Sequence, residues 1–241
     1  MKNYIITPSR WLIKKASDEK MVTQPFFSII ITTYNRAHLI SRALNSLVSQ
    51  TEKDWEAFIV DDGSTDDTYS QVLPYLKAYP QIKFLKKVHS GEAISKNEGI
   101  EASTGKFISF LDSDDEYNPI HLETRRAILE QKPLVKFLYG GITVIGNQFV
   151  PDRYDLSKKI NIKNCVIGGT FFIERNILIS LSGFKEIFIG TDADLFERAK
   201  KTEIIFMKTG LPTYIYHHEN ADSLTNKLYL NSHSQSEQPM K

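Results

Sequence analysis

The chain has 241 residues, enough for one domain with a full core, and its 30 lysines and arginines nearly balance its 29 aspartates and glutamates. That balance gives no ground for a nucleic-acid partner or an acidic surface. The single cysteine, Cys165, excludes an internal disulfide and suits a reducing compartment as a small buried apolar residue. No run of ~18 apolar residues is present and the N-terminus carries no apolar signal core, so the expectation is a cytoplasmic protein.

Residues 1–25 read as an N-terminal arm, in which Trp11-Leu12-Ile13-Lys14-Lys15 either packs on the domain or forms an amphipathic turn. From Phe26 the pattern sharpens. Phe27–Thr33 has the continuous apolar character of a buried strand, and Leu39, Ile40, Ala43, Leu44 and Leu47 recur at helical spacing after it. Trp55–Val60 predicts a second strand, ending in the acidic, turn-forming Asp61-Asp62-Gly63-Ser64-Thr65-Asp66. Val72, Leu73 and Leu76 mark a helix that Pro74 should kink or shorten. Ile82–Val88 predicts a third strand, Ser90-Gly91-Glu92 opens a helix to Ala102, and Phe107–Leu111 predicts a fourth strand. Asn118-Pro119 then leads into a helix carrying Leu122, Arg126 and Leu129. This β-α alternation predicts a mostly parallel sheet with helices on both faces.

Beyond about Gln131 the alternation weakens. Val135–Val144 reads as one strand that turns at Gly146-Asn147 into a hairpin with Gln148–Val150, and 151–165 reads as a polar loop. Phe171-Phe172-Ile173 predicts a strand, Arg175–Leu181 and Thr191–Lys201 helices, and Ile204–Met207 a last strand. His217-His218-Glu219-Asn220 falls in a loop, and the tail 229–241 is expected to be disordered. The organisation expected is therefore the arm, a ligand-binding half at 26–132, a second half of the same domain at 133–228, and the tail.

The densest chemistry lies at Asp112-Ser113-Asp114-Asp115-Glu116, at the carboxyl end of the Phe107 strand. Four carboxylates in five residues repel one another, and a cation relieves them most simply. Hard oxygen donors suit Mg2+ or Mn2+ shared with substrate phosphates. The bland alternative is a solvated turn that caps the next helix. Both acidic clusters follow strands, so both should lie on the rim where open α/β sheets bind ligands. Other motifs fail: the first turn, Thr32-Thr33-Tyr34-Asn35, has no glycine for a dinucleotide fingerprint. Gly99…Gly105-Lys106-Phe107 is not a P-loop, and there is no Gly-x-Ser-x-Gly elbow or zinc-like Cys/His spacing.

Three segments in order, Ile30–Arg36, Val60–Asp66 and Gly105–Asp115, resemble the family-two glycosyltransferases of GT-A fold across roughly residues 26–225. The resemblance implies a Rossmann-like, mostly parallel sheet with a smaller mixed acceptor-side region. It implies an inverting enzyme that takes a nucleotide sugar, UDP-linked, to a glycan or lipid-linked acceptor in surface polysaccharide or lipopolysaccharide synthesis, with Mn2+ or Mg2+ as cofactor. Such an enzyme would work at the inner membrane face without inserting. The resemblance places Thr32, Thr33, Tyr34 and Asn35 at the base, Asp62 on uracil, Lys96 at the phosphates, Asp114 at ribose and metal, and Asp115 at the metal on an exposed loop. His218, beside His217 and ahead of Ser223, would close over diphosphate and metal. Asp192, in Thr191-Asp192-Ala193-Asp194, would be the catalytic base. Its alternatives are that Asp192 caps its helix and that Asp194 pairs with Arg198.

Lys96-Asn97 and Thr191 stand where the family often has arginine and glutamate, and the Gln-x-x-Arg-Trp of processive synthases is absent, so single addition is expected. Two other classes compete. A sugar nucleotidyltransferase would want a glycine-rich basic loop after the first strand, and a non-catalytic nucleotide-sugar binder could dispense with the acidic loop or Asp192.

Overall fold

The computed structural model describes residues 24–155, 157–187 and 189–219. Nearly all of the arm, including Trp11–Lys15, and the tail lie outside the described residues, as do Asn220 and Ser223.

The elements run β1 (Phe27–Thr33), α1 (Ile40–Val48), β2 (Trp55–Asp61), α2 (Thr68–Ala78), β3 (Ile82–Lys86), α3 (Glu92–Ala102), β4 (Phe107–Phe110), β5 (Glu116–Tyr117) and α4 (His121–Gln131). They continue through β6 (Val135–Tyr139), β7 (Ile142–Gly146), β8 (Phe149–Pro151), β9 (Lys159–Asn161), β10 (Phe172–Glu174), α5 (Arg175–Ser180), α6 (Thr191–Lys200), β11 (Ile205–Lys208) and β12 (Tyr214–His218).

Seven strands form the central sheet in the order β11-β6-β10-β4-β1-β2-β3. β1, β2, β3 and β4 are mutually parallel, while β10 runs antiparallel to both β4 and β6, and β11 is parallel to β6. β6 and β11 therefore point the same way as β1, β2 and β4, and the carboxyl ends of all five lie on one rim. The chain reverses strand order between β1 and β4, which opens the crevice where such sheets bind ligands.

Both faces of this sheet are covered, which explains why its strands read as unbroken apolar runs rather than alternating ones. Ile29 and Ile31 pack with Ile40, Leu44 and Leu122 in one core, whereas Ile30, Phe58 and Phe110 pack with Ala93, Ile100 and Leu195 in the other.

Four local expectations need correction. α2 runs through Pro74 to Ala78, because Pro74 and Ser70 are both exposed and water can serve the carbonyl left without its helical N–H. β3 ends at Lys86, and Val88 projects into solvent. Val135–Val144 is two strands in two sheets: Gly140 and Gly141 both take positive φ, and a side chain on Gly141 would run into the Leu211 carbonyl. β7 makes no hairpin with β8. It lies parallel to β12 in a small sheet ordered β5-β12-β7, and β8 pairs instead with β9, inside the stretch read as a loop. Among the described residues no helix is long and apolar enough to cross a membrane.

Candidate active site

The turn after β2 is built by its aspartates. Asp61, fully buried, accepts from the Ser64 N–H at 3.0 Å, and the Asn35 N–H donates to Ser64 Oγ at 2.9 Å, tying the end of β1 to the end of β2. Asn35 takes φ 52°, a left-handed conformation that asparagine tolerates. Thr33 is buried and its carbonyl accepts from the Asp62 N–H, while Thr32 is partly exposed.

Asp62 faces the 89–91 segment. Its two carboxylate oxygens accept from the Ser90 and Gly91 N–H groups at 2.8 Å each, and His89 Nδ1 stands 2.8 Å from Oδ2. Burial opposes ionisation of Asp62, but these amide donors and the neighbouring His89 outweigh it and hold the carboxyl below its ordinary range. An ionised carboxylate offers about four acceptor positions, and the Ser90 hydroxyl at 3.4 Å holds the fourth, the longest of these contacts and the one a further donor would displace. The Tyr34 ring, 43% exposed, stacks on His89 with centroids 4.1 Å apart and planes 19° apart.

The turn after β4 is crowded. Asp112 is pushed up to about 7, first by burial, with Lys96 opposing and Glu92, Asp114 and Asp192 adding to the rise. Its side chain nonetheless keeps 30% exposure, so it meets the rim. Asp114 is partly exposed, and its carbonyl accepts from the Arg42 guanidinium. Asp115 corrects the expectation of an exposed loop carboxylate, because it is 1% exposed. Its oxygens accept from the Tyr214 hydroxyl at 2.7 Å and the His217 N–H at 2.8 Å. Burial and the charges of Asp112 and Asp114 push it well above its ordinary value.

Lys96 lies beneath this turn, 3% exposed, over the rings of Phe184 and Phe110 at 5.0 and 5.8 Å. Its ammonium is 2.6 Å from Glu92 Oε1, 3.7 Å from Asp192 Oδ1 and 3.9 Å from Asp112 Oδ1. Burial would deprotonate it, but the three carboxylates raise it well above its ordinary value. One buried cation thus joins the acidic turn to Asp192.

Asp192 stands in the first turn of α6 and makes no cap bond to its own helix. Oδ2 accepts from the Gly168 N–H at 2.9 Å, whereas Oδ1 has no hydrogen-bond partner. A side chain on Gly168 would collide with this carboxylate. Asp194 does what its spacing allowed: it takes Arg198 Nε at 2.7 Å, and Arg198 in turn donates to the carbonyls of Leu181 and Gly183.

This arrangement agrees with what sequence comparison finds. The profile described as Glycosyl transferase family 2 matches residues 28–188, more than half of the chain. The chain belongs to glycosyl transferase family 2. Among relatives of this glycosyltransferase family, the UDP-Glc:alpha-D-GlcNAc-diphosphoundecaprenol beta-1,3-glucosyltransferase WfgD of Escherichia coli is 34% identical over 63% of this chain and 61% of its own. The GalNAc(5)-diNAcBac-PP-undecaprenol beta-1,3-glucosyltransferase of Campylobacter jejuni is 29% identical over 79% of this chain and 64% of its own. The chain thus spans less than two thirds of the length of these curated relatives. Among solved structures, S. aureus TarS 1-349 in complex with UDP-GlcNAc aligns with TM-score 0.70 at 22% identity, over 82% of this chain and 60% of its own. The mannosyltransferase PcManGT of Pyrobaculum calidifontis, in complex with GDP-Man and Mn2+, aligns with TM-score 0.66 at 18% identity, over 91% and 66%. The fold is GT-A.

For a family-two chain the donor set suits a hard divalent cation. Asp112 and Asp114 bring carboxylates to the rim, and their crowding is the charge excess that such an ion relieves. Among the described residues no three His, Cys, Asp or Glu side chains form a ready cage. Mg2+ commonly needs only one or two carboxylates beside substrate phosphates.

The histidines depart from the loop expected. His217 and His218 belong to β12 and are buried, at 8% and 3% exposure. His217 Nε2 is 2.8 Å from Glu116 Oε1, and His218 Nδ1 is 2.8 Å from the Asn147 carbonyl, so both nitrogens face protein groups. Sequence reading also passed over His89, Tyr214 and Gly168. Ser90-Gly91 before a helix and Gly168-Gly169-Thr170 before a strand were signals of close backbone approach, but nothing in the sequence says which carboxylate each loop would meet.

Proposed function

We propose that this protein moves one sugar from a UDP-linked donor to a hydroxyl of a lipid-linked or glycan acceptor, with inversion at the anomeric carbon and with Mn2+ or Mg2+ on the donor diphosphate. The observation that carries the reading is Asp192. It is fixed by the Gly168 N–H through one oxygen, its other oxygen lacks a hydrogen-bond partner, and it shares Lys96 with the acidic turn. A carboxylate oriented by the Gly168 N–H and Lys96, with 29% of its side chain exposed, can accept an acceptor's hydroxyl proton.

In this reading the hydroxyl oxygen attacks the anomeric carbon from the face opposite the diphosphate. The new C–O bond forms as the bond to the diphosphate breaks, its electron pair leaves with UDP, and the proton passes to the Asp192 carboxylate. Lys96 offsets negative charge growing on the departing side, buried where its field is least screened. Asp112 and Asp114 would hold the cation, with Asp115 fixing the turn through Tyr214 and His217. The bound ion supplies Lewis-acid neutralisation of the leaving diphosphate. The UDP-GlcNAc complex of TarS supports the choice of donor. The diphosphoundecaprenol and PP-undecaprenol in the relatives' names support a lipid-linked acceptor, which would bring the protein to a membrane surface.

Asp192→Asn tests the reading, because asparagine still accepts from Gly168 but is no base. Turnover should fall at least about 100-fold while UDP affinity and melting temperature stay put. Turnover within a few-fold of wild type would remove Asp192 from the base role.

A further inference from the structure

A small cavity of about 40 Å³ opens beyond the carboxyl ends of β6 and β11, on the same rim as the acidic turns. Lys163 and Lys208 line it, with Cys165, Thr170 and the Gly140-Gly141 turn. Both lysines are exposed, and neither has an ion-pair or hydrogen-bond partner among the described residues. A Cβ on Gly140 would stand 3.1 Å from Lys208 Cγ and 2.9 Å from the Thr209 carbonyl, so glycine there leaves the lysine stem its course. One carboxylate, Asp152, lies close enough to help burial raise the Cys165 thiol. Two ammonium groups against one carboxylate leave the cavity positive.

Its place in the chain links it to Asp192. Ile167 forms part of the wall, and the next residue, Gly168, gives its N–H to Asp192. Consecutive Cα atoms are about 3.8 Å apart, so the cavity wall and the residue that holds the proposed base are neighbours along the chain. The volume suits about three waters, hence the three terminal oxygens of a phosphoryl group. Lysines bind phosphate as point charges.

We propose that this cavity is the acceptor's phosphate subsite: an acceptor sugar presents its hydroxyl to Asp192 while its own phosphoryl group seats between Lys163 and Lys208. The inference rests on reading Asp192 as the base, and names the acceptor class as a sugar phosphate or diphosphate.

Cys165 is the chain's one cysteine, so its alkylation reports on this cavity without any transfer assay. Iodoacetamide labelling of the full chain, followed by mass spectrometry, is compared in glucose 1-phosphate, inorganic phosphate, glucose, and NaCl of matched ionic strength. Glucose 1-phosphate should slow labelling at least threefold and at lower concentration than inorganic phosphate does, with glucose and NaCl without effect. The K163A/K208A double variant, changed only at exposed side chains, should label at one rate in all four. Labelling unaffected by glucose 1-phosphate overturns the subsite, as does equal or better protection by inorganic phosphate. Protection retained in the double variant also overturns it. Protection seen beside an active Asp192→Asn keeps the subsite and sinks only the base, so the two failures are distinguishable.

Discussion

The turn after β2 and the turn after β4 carry the same chemistry, adjacent aspartates at the end of a buried parallel strand, yet their carboxyls move in opposite directions. Asp62 meets two backbone N–H groups and His89, and is held low. Asp112 and Asp115 are pushed high by burial and by the crowding of Asp112, Asp114 and Asp115, although the Tyr214 hydroxyl on Asp115 opposes the shift. Amide donors fixed in the backbone cannot move away from an anion, so the first turn is electrostatically complete. The second crowds Asp112, Asp114 and Asp115 together, with the Lys96 ammonium 3.9 Å from Asp112 and the Arg42 guanidinium on the Asp114 carbonyl. A turn of the first kind organises a loop, and one of the second kind is suited to receive a cation.

Removing the cation that the second turn does have should produce the largest effect on stability. Lys96→Met leaves Glu92, Asp112 and Asp192 facing one another without a counter-charge. Breaking a buried ion pair costs about 3–5 kcal/mol, and the lower figure applies because these carboxylates keep about a third of their exposure. In a chain of this length that is a fall of roughly 6–12 °C in melting temperature. A fall under about 2 °C would mean that the acidic turn is neutralised without Lys96.

The buried aspartate of the second turn gives the next effect. Asp115→Ala strands the Tyr214 hydroxyl and the His217 N–H, at a cost of about 1–3 kcal/mol. Asp115→Asn keeps an acceptor for His217 and removes the buried charge, so its melting temperature should match or exceed wild type at pH 8. If alanine and asparagine destabilise alike in thermal melts, the hydrogen bonds are not what Asp115 contributes.

The pH dependence separates the turns directly. Asp62, depressed in the fold, adds stability that is present above roughly pH 4 and lost as pH falls through its lower folded value. Asp112 and Asp115, raised in the fold, add stability that is complete below roughly pH 4 and lost as pH rises, through about 7 for Asp112. EDTA-treated protein should therefore melt lower at pH 8 than at pH 5.5, and Asp112→Asn should flatten the difference. Millimolar Mn2+ should recover more at pH 8, where the carboxylates are ionised to receive it. An identical Mn2+ response at both pH values would disconnect the ion from Asp112.

Much of the first turn's surroundings was legible in the sequence and much of the second's was not. β1, β2 and β4 are buried on both faces, so their unbroken apolar runs announced them, and their order placed both acidic clusters on one rim. Burial of Asp115 was not visible, because it depends on Tyr214 and His217 arriving from about 100 residues away. β12 is a strand through pairing with β7 and β5, two partners that no local pattern names, which is why its histidines read as a loop. The family resemblance placed Lys96 at the phosphates, but its closest contact, Glu92, lies one turn back on the same helix. Asp192 escaped its capping alternative only in three dimensions, where Gly168 claims the oxygen that a cap would use.

The smallest expected effect concerns the first turn's open face. Tyr34 stacks on His89, and His89 is anchored to Asp62, so the tyrosine ring is held flat at the rim with 43% of its surface exposed. A ring held flat in advance loses little freedom when a base lies on it, and such stacking contributes about 1–3 kcal/mol. Tyr34→Ala should weaken UDP binding roughly tenfold by calorimetry, the low end of that range because His89 remains as a second platform. Tyr34→Phe keeps the ring and should bind within about twofold, and neither change should move the melting temperature, since the side chain is half solvated. Asp62 adds the discrimination: an ionised acceptor suits the N3–H of uracil, while adenine offers no ring N–H at the matching edge. UDP should therefore bind more tightly than ADP, and Asp62→Asn should narrow the gap between them. Equal affinity of the wild type for these two nucleotides would leave Asp62 as the anchor of the 89–91 segment and nothing more.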